Sequence, residues 1–213
     1  METCKLLIQM SGAPGSGKST LANLLARNSS INGVVINHDL IKSCFLDNGI
    51  TFQKSAELTY NLQWVLAGDL LRQGRNVIVD STCNYQETLD QGTALARQHG
   101  YRYAYIECVL SISDIGLLEQ RLRERVALRS QRTSVDAEPR DFDDAHSSSH
   151  GDAVARYKEW IESPVRPDGV SIIAVDATGS PSDCLSSALK QLGLSVEAQS
   201  PSATMEASSA GST

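Results

Sequence analysis

The stretch Gly12-Ala13-Pro14-Gly15-Ser16-Gly17-Lys18-Ser19-Thr20 constrains this chain more than any other part of it. It fills the pattern Gly-x-x-x-x-Gly-Lys-[Ser/Thr], and its flanks are those the pattern requires. Ahead of it, Lys5-Leu6-Leu7-Ile8-Gln9-Met10 is short and apolar, as a buried strand is. Behind it, Leu21, Leu24 and Leu25 fall at i, i+3 and i+4, on one face of a helix. The glycines let backbone N–H groups turn inward, and the helix adds the positive end of its dipole. Strand, turn and helix in this order predict a cradle for a nucleoside triphosphate, with every residue from Gly12 to Thr20 against it. Lys18 is then expected to reach the β- and γ-phosphates, and the Ser19 hydroxyl to hold Mg²⁺.

A chain of 213 residues suggests one domain, here 1–193, followed by a Ser- and Ala-rich stretch, 194–213, that reads as a disordered tail. With 41% hydrophobic and 21% charged residues the composition is that of an ordinary globular protein. The formal net charge of −6 weighs against a general nucleic-acid binder, whose footprint is basic. The five cysteines, Cys4, Cys44, Cys83, Cys108 and Cys184, are scattered and show no Cys-x-x-Cys spacing. That argues against a disulfide framework or a zinc site and for a reducing compartment. The start of the sequence lacks a signal-peptide pattern, and no apolar run approaches spanning length. A cytoplasmic protein without membrane attachment is the expectation.

Further along, strands and helices alternate. Val34 to Asp39 reads as a second strand ending in an acid. A helix over Gln53 to Arg72 carries Leu58, Leu62, Val65 and Leu66 at helical spacing and stops at Gly74. Asn76 to Asp80 is a third strand, again ending in Asp. A helix from about Gln86 stops near Gly100, and Tyr101 to Leu110 is strand-like. Ser113 to Arg132 has a charged helical pattern, and Thr133 to Gly151 is polar and reads as a loop. Together they form a lid region over about 113–150. Val154, Tyr157 and Ile161 mark a short helix, and Gly169 to Val175 a last strand. Ser180-Pro181 then starts a helix that Gly193 ends.

This alternation predicts an α/β fold: a doubly wound parallel sheet joined by right-handed crossovers and covered by helices on both faces. Ligands of such sheets bind outside the carboxyl ends of the strands. The phosphate loop, Asp39 and Asp80 are therefore expected in one cleft.

Other motifs narrow the chemistry. The chain has no Asn-Lys-x-Asp for guanine and no Leu-Ser-Gly-Gly signature of transporter ATPases. Asp80 is followed by Ser81, where ATPase motors often carry a water-activating Glu. A kinase needs an acceptor base and a cationic lid. Asp39 suits the first role, and equally the cap of a helix starting at Leu40-Ile41. Arg121, Arg125 and Arg129 fall at i, i+4 and i+8, with Arg132 beyond. Like charges in such a stripe repel unless an anion intervenes, and a transferring phosphoryl group is such an anion. The stripe reads either as that or as a solvated face laced by pairs such as Glu119–Arg123.

With these residues the chain resembles the P-loop kinases related to polynucleotide kinase, chloramphenicol phosphotransferase and the zeta-toxin group, AAA-domain-like kinases. The likeness runs from about Lys5 to Leu192. It is carried by Gly12 to Thr20, His38-Asp39, Val77 to Thr82, Arg121-Leu122 with Arg125, and Val175-Asp176-Ala177. It implies a five-stranded parallel core, ATP with Mg²⁺ as donor, and Asp39 as the base that orients the acceptor. Arg125 and Arg129 would be lid arginines, and the loop from Asp176 to Gly179 would lie against the adenine. Asp80 is left open between Mg²⁺, beside Ser19, and the acceptor. The family commonly reads Asp-x-Thr-Asn after the third strand. This chain reads Asp80-Ser81-Thr82-Cys83-Asn84, so the substrate contact carried onto Asn84 stands one position late.

Two features keep plainer readings. His146 and His150 have an i, i+4 metal-ligand spacing but flank a serine run. Tyr101, Tyr103 and Tyr105 alternate on one strand face, to pack it or to stack on a base. The expected activity is transfer of the γ-phosphate of ATP to a hydroxyl of a small-molecule acceptor. The alternatives are a nucleic-acid 5′-hydroxyl or tRNA acceptor, and a nucleotide-binding ATPase or switch working through a protein partner.

Overall fold

In the computed structural model, residues 5–82, 85–142 and 150–195 are described. Strand β1 (Leu6–Ser11) is buried at every position, so both of its faces must meet apolar partners. Leu6, Ile8 and Met10 join a core with Leu21 and Leu25 of α1 (Lys18–Arg27) and Leu189 and Leu192 of α7 (Pro181–Leu192). Leu7 points the other way, into a second core with Ala67 and Leu71 of α3 (Phe52–Arg72) and Ala96 of α4 (Gln86–His99). Successive strand residues face opposite ways, which is why one apolar run feeds two cores. Leu25 is fully buried, and its truncation to Ala would cost about 2–5 kcal/mol.

The remaining strands are β2 (Gly33–Asn37), β3 (Asn76–Asp80), β4 (Arg102–Val109) and β5 (Ile172–Asp176). They form a five-stranded, all-parallel sheet in the order β2-β3-β1-β4-β5. The chain moves outward from β1 to β2, returns through β3, and crosses to the other side at β4. That reversal opens a crevice above the carboxyl end of β1. The doubly wound α/β fold expected from the alternation is present.

Three local expectations are corrected. The second strand stops at Asn37, and His38 and Asp39 already belong to α2 (His38–Asp47), because the Asn37 side chain caps that helix. The buried stripe of α3 is Ser55, Thr59, Gln63, Ala67 and Leu71, whereas Val65 and Leu66 are exposed. Thr59 bonds back to the Ser55 carbonyl at 2.6 Å and Gln63 Oε1 lies 3.0 Å from His38 Nδ1, so these polar side chains find partners in that interface, although Gln63 Nε2 is buried without one. The charged helix of the lid is short: α5 (Ile115–Glu124) ends where Arg125 turns extended. Beyond it the backbone finds partners other than a helix ladder. Leu128 N–H donates to the Gln131 side chain at 3.0 Å, and Val135 N–H to Glu119 at 2.6 Å.

Helix α6 (His150–Glu162) follows the lid, as expected from Val154, Tyr157 and Ile161. Tyr101, Tyr103 and Tyr105 pack against the sheet; Tyr101 and Tyr105 donate to the Leu71 and Val165 carbonyls at 3.2 and 2.8 Å, and Tyr103 to Gln9. Among the described residues Cys44, Cys108 and Cys184 are free thiols. Asn84, Cys83, His146 and the tail from 196 lie outside the described residues. Among those described, no three or more His, Cys, Asp or Glu gather into a metal-holding group. No helix among them is long and apolar enough to cross a membrane.

Candidate active site

The loop between β1 and α1 passes close to the end of β4, which leaves no room for a side chain at Gly12. A Cβ there would lie 2.6 Å from the Cys108 carbonyl oxygen and 2.8 Å from Ser16 Oγ. Gly17 is required for a different reason. It is the N-cap of α1 with φ 88°, a left-handed conformation open to glycine, and it contributes no side-chain cap. The first N–H groups of α1 are therefore left for an anion.

Two further polar atoms of the loop are buried. Ser16 Oγ is buried without a hydrogen-bond partner. Lys18 is 8% exposed, and its Nζ donates to the carbonyls of Gly12 and Ala13 at 2.8 and 3.0 Å. Burial pushes the Lys18 pKa down, opposed mainly by the Asp80 carboxylate. A buried cation held only by neutral carbonyls, an orphaned hydroxyl and a free helix N-terminus fit a polyphosphate.

Adjacent parallel strands bring the two acids to this loop. Asn37 of β2 pairs in register with Asp80 of β3, and Asn37 Nδ2 donates to Asp80 Oδ2 at 3.3 Å. Burial pushes the Asp80 carboxyl up, while a hydrogen bond from Ser19 and the Lys18 charge pull it down. A buried carboxylate bonded to the hydroxyl that follows Lys18 fits one Mg²⁺ position, with phosphate oxygens and water completing the shell. Asp39 lies two residues past Asn37, in the first turn of α2. Its Oδ2 accepts from Gln131 Nε2 at 2.8 Å, and its Oδ1 from Ser130 Oγ at 3.3 Å. Ser130 is itself held by Ser43 of α2, its N–H donating to Ser43 Oγ at 3.0 Å.

The predicted arginines separate. Arg121 donates to the Ala177 carbonyl at 2.9 Å, tying α5 to the loop after β5. Arg125 lines the cleft; one nitrogen donates to the Arg132 carbonyl at 2.7 Å, while its Nε is buried without a partner. Burial lowers the Arg125 pKa, and the nearby Asp39 charge opposes this. Arg129 is elsewhere, in a two-pronged contact to Asp141 at 2.7 and 2.9 Å and a 3.4 Å ion pair to Asp47. Arg132 is paired with Glu138 at 2.5 Å, its guanidinium 4.9 Å from the Trp160 ring. Tyr157 of α6 donates to the Pro14 carbonyl, so the helix after the lid grips the phosphate loop.

One cleft of about 900 Å³ is lined by Gly12, Pro14 to Leu21, Asp39, Asp80 and Arg125. Ala13 serves through its carbonyl to Lys18. Gly179 lines the same cleft, whereas the Asp176 carboxylate is taken up by Thr178, accepting from its N–H and hydroxyl at 2.9 and 2.7 Å. Cys108, beneath the loop, has its thiol pushed up to about 12 by burial and stays protonated. Sequence reasoning missed Lys42 and Gln131, which also line the cleft. Lys42 was findable, three residues after Asp39 on an expected helix. Gln131 was not, because a fold-back of the lid delivers it.

The sequence profile of the AAA domain family matches residues 7–147, more than half of the chain. The chain belongs to this family. Among curated proteins, this AAA-domain chain is 33% identical over 107 residues to 2′,3′-cyclic-nucleotide 3′-phosphodiesterase of Rattus norvegicus, a match covering 50% of the chain and 24% of that protein. The Mus musculus protein of the same name matches at 31% over the same shares. The chain thus spans about a quarter of the length of these curated relatives. Among solved structures, a protein of Chloroflexus aurantiacus J-10-fl assigned as a kinase superposes with TM-score 0.63 at 19% identity, covering 91% of this chain and 98% of that one. A gluconokinase from Sinorhizobium meliloti 1021 gives TM-score 0.55 at 17%, covering 88% and 91%. The Mycobacterium tuberculosis APS kinase CysC, in complex with AMPPNP and APS, gives 0.56 at 17%, covering 90% and 96%. At these identities the likeness is one of fold, and that fold is the P-loop kinase fold.

Proposed function

We propose that this AAA-domain chain is an ATP-dependent phosphotransferase that moves the γ-phosphate of ATP to a hydroxyl of a small-molecule acceptor. The observation that carries the reading is Asp39. Its helix is capped by Asn37, and its carboxylate lines the same cleft as Lys18 and Asp80.

ATP with Mg²⁺ would supply the transferable phosphoryl group and a cation to neutralise its charge. Gly12 to Thr20 would hold the triphosphate through the N–H groups of the loop, Ser16 Oγ and Lys18. Ser19 and Asp80 would hold the cation. Asp39 would orient the acceptor hydroxyl and take its proton as the new O–P bond forms and the β–γ bridge breaks. Gln131 and Ser130 fix that carboxylate's direction. Arg125, with an unpaired Nε, would meet charge developing on the phosphoryl oxygens. The ion-paired Arg129 would steady the lid from outside. The loop at Ala177 to Gly179 would lie beside the adenine.

The curated relatives are named for acting on 2′,3′-cyclic nucleotides, and this nucleotide chemistry keeps a second reading in view, in which the acceptor is a nucleic-acid 5′-hydroxyl; the net charge of −6 speaks against it. A screen of hydroxyl compounds and 5′-hydroxyl oligonucleotides with γ-labelled ATP and Mg²⁺ tests both. Label moving to a small alcohol, and lost in Asp39→Asn, supports the first. Label on oligonucleotides alone selects the second. ATP hydrolysis without any acceptor overturns both in favour of a switch.

A further inference from the structure

Lys42 sits one turn beyond Asp39 on α2, nine-tenths buried, and its side chain lines the cleft. Its ammonium lies 3.4 Å from the centroid of the Phe52 ring. Among the described residues no carboxylate stands within ion-pair range of it, although ion pairs elsewhere in the chain are plentiful. Burial pushes its pKa down to about 8, with Asp39 opposing the shift. A buried cation without a counter-ion is costly, and an occupant that brings an anion removes the cost.

The wall beside Lys42 is aromatic. Phe52 meets Phe142 edge-on at 5.1 Å, and Tyr60 meets Tyr85 edge-on at 5.7 Å. All four rings line the cleft; Tyr85 is 56% exposed, and Phe52, Tyr60 and Phe142 are partly exposed, Tyr60 also packing on the His38 ring. Aromatic walls with one charged group are the usual makings of a pocket for a planar, charged small molecule.

We propose that Lys42 anchors an anionic substituent of the acceptor and that the rings of Phe52, Tyr60 and Tyr85 hold a planar ring beside it. The substrate class is then a small alcohol carrying both a planar ring and a phosphate or carboxylate. Its hydroxyl faces Asp39, and its anion sits about 5–6 Å away, the spacing of side chains one helical turn apart. The word acceptor rests on the phosphotransferase reading above; the binding site itself does not.

The experiment is calorimetry on the chain saturated with AMPPNP and Mg²⁺, which fills the donor site without transfer. The probes are 3-(hydroxymethyl)phenyl phosphate, 3-(hydroxymethyl)benzoate, benzyl alcohol and glycerol 3-phosphate. At least one compound with both ring and anion should bind about tenfold or more tighter than benzyl alcohol or glycerol 3-phosphate. The phosphate and carboxylate arms show which anion the site takes. Lys42→Met should lower the affinity of the ring-and-anion compounds to that of benzyl alcohol, and Lys42→Arg should restore part of it. Tyr60→Leu should weaken the ring compounds and spare glycerol 3-phosphate. Melts establish that each variant is folded.

Equal affinities across the panel, a preference that survives Lys42→Met, or no binding of any probe to a chain that holds AMPPNP would each overturn the proposal. Transfer from γ-labelled ATP separates the two levels. Label passing equally to benzyl alcohol and glycerol 3-phosphate, unaffected by Lys42→Met, removes this site and leaves the phosphotransferase. Anion-dependent binding with no transfer to any compound leaves the site and removes the phosphotransferase.

Discussion

Asn37 accepts the Leu40 N–H at 2.9 Å and so caps α2, which frees the Asp39 carboxylate two residues later from that duty. The two roles that a single acid could have held are divided between two side chains. Asn37→Ala should lower stability by about 1 kcal/mol through the lost cap, with a further loss from its bond to Asp80. Asp39→Asn should leave the melting temperature nearly unchanged, lower phosphoryl transfer by about 10²-fold or more, and spare ATP affinity. A transfer assay beside a melt checks the pair. Full transfer by Asp39→Asn would take Asp39 out of the mechanism.

Lys18→Ala should lose ATP·Mg²⁺ affinity in a chain that still folds. Lys18 is a desolvated cation bonded to two carbonyls of its own loop, so the core loses nothing when it goes. Calorimetry with a parallel melt reads both. A folded mutant with unchanged affinity contradicts the phosphate cradle.

Arg125 and Arg129 should behave differently. Arg125→Ala is expected to lower kcat by about 10³-fold while ATP affinity changes little, since its charge is needed most in the transition state. Arg129→Ala removes only partly exposed, solvent-screened pairs to Asp47 and Asp141 and should shift the melt slightly and the rate less. Equal kinetic losses in the two would show that the lid rearranges to bring Arg129 inward.

Lys42 gives a stability signature in pH. Its folded pKa, about 8, lies below the ordinary lysine value of 10.5. Between those values the unfolded chain binds more protons than the folded one, so stability linked to Lys42 rises with pH there. Below about 8 the burial cost is present in full. Lys42→Met should therefore melt higher than the parent at pH 7, with an advantage that shrinks as pH rises from about 8 to 10.5. An advantage constant across that range would mean the lysine is solvated.

The sequence by itself determined the parallel α/β sheet, the phosphate-loop motif and the acid that ends β3. These are set by short-range patterns: β1 is buried throughout and mostly apolar because both faces are covered, and Gly12 and Gly17 stand where a Cβ or a left-handed φ forbids anything else. The face of α3 was misread because Ser55, Thr59 and Gln63 bury polar groups that find partners only after folding. The arginine stripe was misread for a related reason. Helical spacing from Arg121 to Arg129 is present in the chain, but beyond Glu124 the backbone takes its hydrogen bonds from side chains such as Glu119 and Gln131. Only the tertiary structure decided that Arg125 faces the cleft while Arg129 faces Asp47 and Asp141, and that Gln131 reaches Asp39. Local periodicity can specify a helix face, but contacts across 82 to 92 residues of chain depend on where the whole sheet places their ends.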